Sequence, residues 1–542
     1  MNRCLLIHEI LCAICDNLED SELVSAALTT KAFLEPALNS LWRELDSFRP
    51  IVSCLPPMDD IWVVKEGPSS FTGGQPTQIL YPRRIIVPKD LERYISFYAR
   101  RVRFYDLRGL YDDDMYLSIE ALQALQFATD GKHGALAPFI QSFSWPSPLS
   151  FKTVLGEDSA RLLSSYMPLF LGDSMTSLVL DATPQIPAHA RSLELAFDRY
   201  PRLKGLTILR GPHVQMDTHF IEGSLVSRAW EFLQTLQLPF VSVAIMQHLA
   251  NLPSLASLSL HDFRRMDNFD FPYCTPQEME DRLKEKPFGK VFTSLKSLSV
   301  TGTTVERVIG VLQCIPPRDN IIEKVRCYCR FGSDPSFPLE QQLINVAAMH
   351  CNPLTLSHLI LSDLYHRRSM EVGGLLEMDL DEELDISSLF KFINIQQLAL
   401  RLHNPISVTP NEISQITISF PGITKLELCG DHPSFHPPQI NHSHFLILLR
   451  GCPSLKDLAL VFDLSRVREE KAPVVPIANA LKILNVGDSP IYSPTKVVSF
   501  LKAHTPHLMS LQSACDSESI PKIFSRRWQV AEEMWQVFLE SQ

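Results

Sequence analysis

Leu255-Ala256-Ser257-Leu258-Ser259-Leu260 places leucine at its first, fourth and sixth positions. Its last two leucines alternate with small polar residues, the period of a strand with one buried face. The pattern Leu-x-x-Leu-x-Leu, with Ile or Val substitutions, recurs at Leu203/Leu206/Ile208, Leu233/Leu236/Leu238, Leu295/Leu298/Val300 and Leu356/Leu359/Leu361. It continues at Ile395/Leu398/Leu400, Ile423/Leu426/Leu428, Leu455/Leu458/Leu460 and Leu481/Leu484/Val486. Weaker copies are Val102/Phe104, Ile140/Phe143/Trp145, Met175/Leu178/Leu180, Ile322/Val325/Cys327 and Leu508/Leu511. Helical patterns lie between copies: Ala190–Tyr200 ahead of Pro201, Phe445–Leu449 ahead of Pro453, and Val497–Leu501 ahead of Pro506. The order helix, turn with Pro, strand therefore repeats. A unit this small buries its apolar face only against its neighbours, which calls for a stacked array.

The spacing resembles leucine-rich repeats. The expected fold is α/β, a solenoid over residues 96–515 with parallel strands on a concave face and helices on a convex one. The Asn usual in that family, three residues after the last Leu, is replaced by Phe263, Thr303, Asp431 and Asp463, so the repeats are irregular. An ordinary α/β domain with Leu-rich strands is the competing reading. In a solenoid, the side chains between the inward leucines would face a partner. They include Ser257, Ser259, His261, Ser299, Arg326, Tyr328, His358, Gln397, Arg401, Lys425, Glu427, Asp457 and Asn485. From these we take His261, Arg326, Tyr328, His358, Gln397, Arg401, Lys425 and Glu427 as candidate substrate contacts. Their mixed charge suits a polypeptide.

Residues 4–46 carry a different pattern. Leu6, Ile10, Ile14 and Leu18 fall four apart on one helix face; Glu19, Asp20 and Ser21 break the helix; Leu23, Ala26, Ala27 and Leu28 restart one; and Pro36 sits where a third would begin. So small a unit buries little of itself, which points to docking. Leu6-Ile7-His8-Glu9-Ile10-Leu11, Ile14-Cys15, Leu18, Glu22-Leu23, Phe33 and Leu41-Trp42-Arg43 together resemble the F-box. Ile7, Cys15 and Phe33 stand where that family usually has Pro, Phe and Trp. With the repeats behind it, the chain is similar to fungal substrate receptors of SCF-type ubiquitin ligases. The resemblance implies that Leu6, Ile7, Glu9, Ile10, Leu11, Ile14, Cys15, Leu18 and Leu23 contact a Skp-type adaptor, and through it a cullin–RING ligase. It also implies that the repeats hold a protein substrate and that the chain itself is not catalytic. A leucine-rich-repeat scaffold outside any ligase is the alternative.

Composition narrows the remaining classes. The chain has 542 residues, 45% hydrophobic, with a net charge of −11. That balance argues against a nucleic-acid surface; Arg100-Arg101-Val102-Arg103 and Arg526-Arg527 read as solvated surface. The 12 cysteines are scattered, as for reduced, buried thiols. His8, Glu9, Asp16 and Glu19 interrupt any signal-peptide pattern, and no uncharged apolar run reaches the roughly 18 residues of a membrane span. A soluble cytoplasmic or nuclear protein is expected. Residues 47–95, rich in Pro and Gly, read as a linker of turns and extended chain pinned on the first repeat by Trp62-Val63-Val64. Residues 363–388, with Glu377, Asp379, Asp381, Glu382, Glu383 and Asp385, read as an acidic insertion, and 464–476 as a second loop. Residues 516–542 form a terminal cap, with an amphipathic helix over Arg526–Glu540.

No chemistry-bearing motif stands out. His8-Glu9-Ile10-Leu11-Cys12 lacks the second His of a zinc helix, and Cys12/Cys15 and Cys327/Cys329 read as packing thiols. Cys429, His432, His436, His442 and His444 cluster without zinc-module spacing. No nucleophile elbow, phosphate loop or dinucleotide fingerprint occurs. No cofactor or metal is expected.

Overall fold

The leucine copies become short parallel strands whose apolar residues lie side by side. In the computed structural model, the described residues are 7–69, 76–107, 115–145, 148–182, 194–210, 223, 225–239, 243–261, 292–302, 304–317, 320–329, 337–363, 383–402, 404–429, 437–467, 479–513 and 522–540. They form two units, Met1–Val241 and Ser242–Gln542.

The first unit begins with helices α1 (His8–Cys15), α2 (Asp20–Thr29) and α3 (Lys31–Leu41). Glu22 accepts a hydrogen bond from the Glu19 N–H at 3.0 Å, so the acidic break becomes the start of α2. Thr30 is extended and separates α2 from α3. The third helix therefore starts at Lys31, and Pro36 lies inside it rather than at its first turn. An interior proline costs an exposed helix about 3 kcal/mol; burial of its ring here offsets part of that. Cys15, Leu23 and Ala37 form the small core, with Leu18, Ala26, Ala27, Phe33 and Leu41 packed around it.

The strands of this unit are β1 (Glu44–Leu45), β2 (Trp62–Ser69), β3 (Pro76–Pro82), β4 (Phe104–Asp106), β5 (Met115–Leu117), β6 (Ser142–Ser144), β7 (Ser177–Ala182), β8 (Gly205–Arg210) and β9 (Thr235–Pro239). β1, β4, β6, β7, β8 and β9 pair in parallel, in that order. Their register aligns Leu45, Tyr105, Phe143, Leu178, Leu206 and Leu236 in one buried column. Two expectations change here. The first copy is Val102/Tyr105/Leu107, all buried, and not Val102/Phe104, because register puts Phe104 opposite Ser142 on the other face. The N-terminal module does not end before the array either, since Leu45 is already a rung of it.

Residues 47–95 are also more than turns and extended chain. β2 and β3 form an antiparallel hairpin, and β5 adds in parallel. Phe48, Ile51, Ile61, Trp62, Leu80 and Leu91 are buried. Four of the prolines that suggested a linker mark the ends of elements: Pro76 and Pro82 bound β3, while Pro50 and Pro88 sit in the first turns of helices. Phe48, Tyr105, Phe143, Trp145 and Phe170 pack as an aromatic cluster.

The second unit holds β10 (Ser257–His261), β11 (Ser297–Gly302), β12 (Lys324–Cys329), β13 (His358–Asp363), β14 (Gln397–Arg401), β15 (Lys425–Glu427), β16 (Asp457–Ala459), β17 (Ile483–Asn485) and β18 (Ser510–Gln512). Each pairs in parallel with the next. Leu258, Leu298, Val325, Leu359, Leu398, Leu426, Leu458, Leu484 and Leu511 form one unbroken buried column. Helices alternate with the strands at Val305–Gln313, Phe337–His350, Pro410–Ser419, His442–Gly451 and Pro494–His504.

At each strand entry one carbonyl accepts from two successive N–H groups of the next strand. The Ala256 carbonyl takes Lys296 (2.8 Å) and Ser297 (3.0 Å), that of Lys296 takes Glu323 and Lys324, and that of Glu323 takes Ser357 and His358. Asparagines in the turns satisfy further carbonyls: Asn320 donates to His350, Asn352 to Asn320, Asn394 to Leu354 and Asn479 to His504. Polar satisfaction thus comes from the turn before the strand, not from the usual position after it. In the terminal helix (Lys522–Glu540), Trp528, Ala531 and Trp535 are buried, and the Trp528 indole donates to the Ser489 carbonyl at 2.7 Å.

Candidate functional site

Two surfaces carry the candidate residues. On the N-terminal module, burial divides them. Leu11, Cys15 and Leu23 are buried, the last two in the core that joins the helices; Ile14 and Leu18 are half-buried; Ile7, Glu9 and Ile10 are exposed. Leu6 lies outside the described residues. Ile7 (46% exposed), Ile10 (36%), Val24 (45%), Leu28 (82%) and Leu34 (40%) leave the module with solvent-facing apolar side chains on all three of its helices. Val24, Leu28 and Leu34 were not among the adaptor candidates; Val24 and Leu28 are four apart on α2, a helical spacing that could have added them.

The module is fastened to the helical segment Tyr94–Arg101 behind it. Arg101, only 4% exposed at its side chain, donates to Glu35 Oε2 at 2.8 Å, to Asn39 Oδ1, and through Nε to the Phe97 carbonyl at 2.9 Å. It is therefore a buried tie and not the solvated surface expected of a basic run. Trp42 stacks on Tyr98 at 4.3 Å between ring centroids. Within the module, Arg43 pairs with Asp16 at 3.3 Å.

The second surface is the strand face opposite the leucine column. Register places every candidate contact on it: Lys324 beside His358, His358 beside Gln397, Gln397 beside Lys425, and Ser362 beside Arg401. Four of its charged groups satisfy one another. Arg401 Nη2 lies 2.9 Å from Glu427 Oε1 and 2.7 Å from Oε2; Lys425 Nζ lies 2.9 Å from Glu427 and 2.7 Å from Asp457. Burial opposes the charge on Glu427, but Arg401 and Lys425 outweigh it and hold the carboxyl below its usual range. Burial likewise opposes the charge on Lys425, and Asp457 and Glu427 reverse the effect and raise its pKa.

Along the same face the balance turns basic. Among the described residues, the side chains of Lys324 and Arg326 make no hydrogen bond or ion pair. Burial, then Lys324 and Arg326, push the His358 pKa down; its Nδ1 is 2.7 Å from Ser357 Oγ. His261 Nε2 is 2.8 Å from Ser259 Oγ, and burial depresses its pKa. Tyr328 is half-exposed beside Thr301 and Ser362.

The thiols follow packing. Cys327, Cys329 and Cys351 are fully buried, and burial pushes Cys351 up to about 12. Among the described residues no cluster of three His, Cys, Asp or Glu could hold a metal. His432, His436, most of the acidic insertion (364–382) and the loop from 468 onward lie outside the described residues. No described helix is long and apolar enough to cross a membrane.

No protein-family model matches the sequence, and no curated protein is significantly similar to it. Among solved structures the chain is similar to one titled a crystal structure of the yeast Rad7 and Elc1 complex, with 13% identity and a TM-score of 0.35 over 78% of this chain and 83% of that one. A likeness that distant has no bearing on function.

Proposed function

We infer that this chain is a substrate receptor of a cullin–RING ubiquitin ligase of the SCF type. Its F-box-like module docks a Skp-type adaptor, and its strand face holds a protein substrate. The supporting observation is the exposed apolar set Ile7, Ile10, Val24, Leu28 and Leu34, on a module too small to use it internally and fastened through Arg101 to a repeat array. Chemistry then belongs to other subunits, and this chain contributes effective concentration and orientation. On the strand face, internal pairing of Arg401, Lys425, Glu427 and Asp457 leaves Lys324, Arg326, His358 and Tyr328 to meet the substrate, which favours an acidic polypeptide segment.

The decisive experiment uses exposed positions, because a charge at the buried Leu11 would disrupt packing. Ile7→Asp with Ile10→Asp should abolish capture of the adaptor while the circular dichroism spectrum stays that of the unmodified chain. Undiminished capture would overturn the ligase reading and leave the repeat scaffold.

A further inference from the structure

Arg100, Arg101 and Arg103 of the basic run line an open cavity of about 370 Å³ together with Glu35, Asn39 and Phe139. Glu35 is the one carboxylate in that lining, against three guanidinium groups. Arg101 is consumed by Glu35 and Asn39. Arg103 uses Nη1 on the Arg100 and Val102 carbonyls (2.7 and 3.0 Å) and lies over the Phe139 ring, 5.7 Å from its centroid. Its Nη2 and Nε have no acceptor among the described residues, and the exposed Arg100 side chain makes no hydrogen bond or ion pair there. Burial, and then the nearby Arg43, depress the Arg103 pKa, as expected for positive charge without a counter-ion. The lining therefore carries two positive charges beyond what Glu35 offsets, in a chain of net charge −11.

We propose that this cavity is a binding site for a phosphate monoester. A dianion matches the charge excess, and the open guanidinium forks suit tetrahedral oxygens. The half-exposed Phe139 ring, which Arg103 overlies, gives an apolar neighbour to a flat group carried on the ester oxygen. The volume fits a small molecule or a single modified side chain. The site stands on its own residues, whether or not the neighbouring helices dock an adaptor.

Calorimetric titration of the full chain with phenyl phosphate, inorganic phosphate and benzoate at low ionic strength tests it. Phenyl phosphate should bind saturably, and benzoate, with one charge, about tenfold more weakly. Arg100→Ala and Arg103→Ala should each weaken phenyl phosphate about tenfold. Phe139→Ala should weaken phenyl phosphate and leave inorganic phosphate unchanged. Arg526→Ala, an exposed arginine in the other unit, should change nothing. Because Arg100 is exposed, its variant keeps the fold, which circular dichroism verifies. The proposal fails if no saturable binding is seen up to about 10 mM, or if the Arg100 and Arg103 variants bind as the unmodified chain does. It fails equally if benzoate or inorganic phosphate matches phenyl phosphate.

Discussion

Glu427 shows how one side chain sets the character of a surface. It is buried, yet two cations hold it ionised. Replacing it by Gln should cost about 1–2 kcal/mol, less than a fully buried pair because Arg401 is partly solvated. A lowered urea midpoint at neutral pH would show this. The pH dependence follows from the depressed pKa. The stabilisation is fully present above the unfolded-state value near 4.5 and is lost as pH falls through the lower folded value. The gap between Glu427→Gln and the unmodified chain should therefore close below about pH 4.5, and a gap constant with pH would contradict the network. The sequence could place Arg401, Lys425, Glu427 and Asp457 on one face, since alternation within each strand is enough for that. It could not pair them, because pairing depends on the register between strands some thirty residues apart in the chain. The division of the N-terminal candidates was hidden for a similar reason: Leu11 and Ile10 are adjacent and equally apolar, and only helix packing separates the buried one from the exposed one.

At the scale of elements, α3 depends on an arginine from another segment. Arg101→Ala should raise amide exchange across Lys31–Leu41 by at least tenfold while β10–β18 keep their protection. Arg101→Lys should rescue it poorly, because an ammonium cannot serve Glu35, Asn39 and the Phe97 carbonyl together. Unchanged exchange in α3 would show that its own core suffices. The helices at His442–Gly451, Pro494–His504 and Lys522–Glu540 were legible from apolar spacing and the prolines that follow two of them. The hairpin of β2 and β3 was not. Pro76 and Pro82 bound β3, and composition cannot tell a boundary from a linker. The first copy of the repeat was misread by one residue because Phe104 and Tyr105 are both aromatic, and only their partners Ser142 and Phe143 show which one is inward.

At the scale of the molecule, each strand is bonded to its neighbours alone, so damage should stay local. Leu398→Ala in β14 should cost about 2–5 kcal/mol. In exchange mass spectrometry the loss should fall on β13–β15 and spare β4–β8. Uniform loss across the chain would mean a single cooperative unit instead. The repeat was legible in sequence because a column of leucines needs only the spacings three and two, which survive any variation in what lies between. The shared carbonyls carry a consequence for the gene. Gln396 receives Thr424 and Lys425 as Thr424 receives Lys456 and Asp457, so one rung's end is interchangeable with the next. A deletion spanning one whole period should rejoin equivalent ends and keep the sheet continuous, whereas a deletion of half a period should leave mismatched ends. Length in such a chain is a tally of rungs, each gained or lost as a whole.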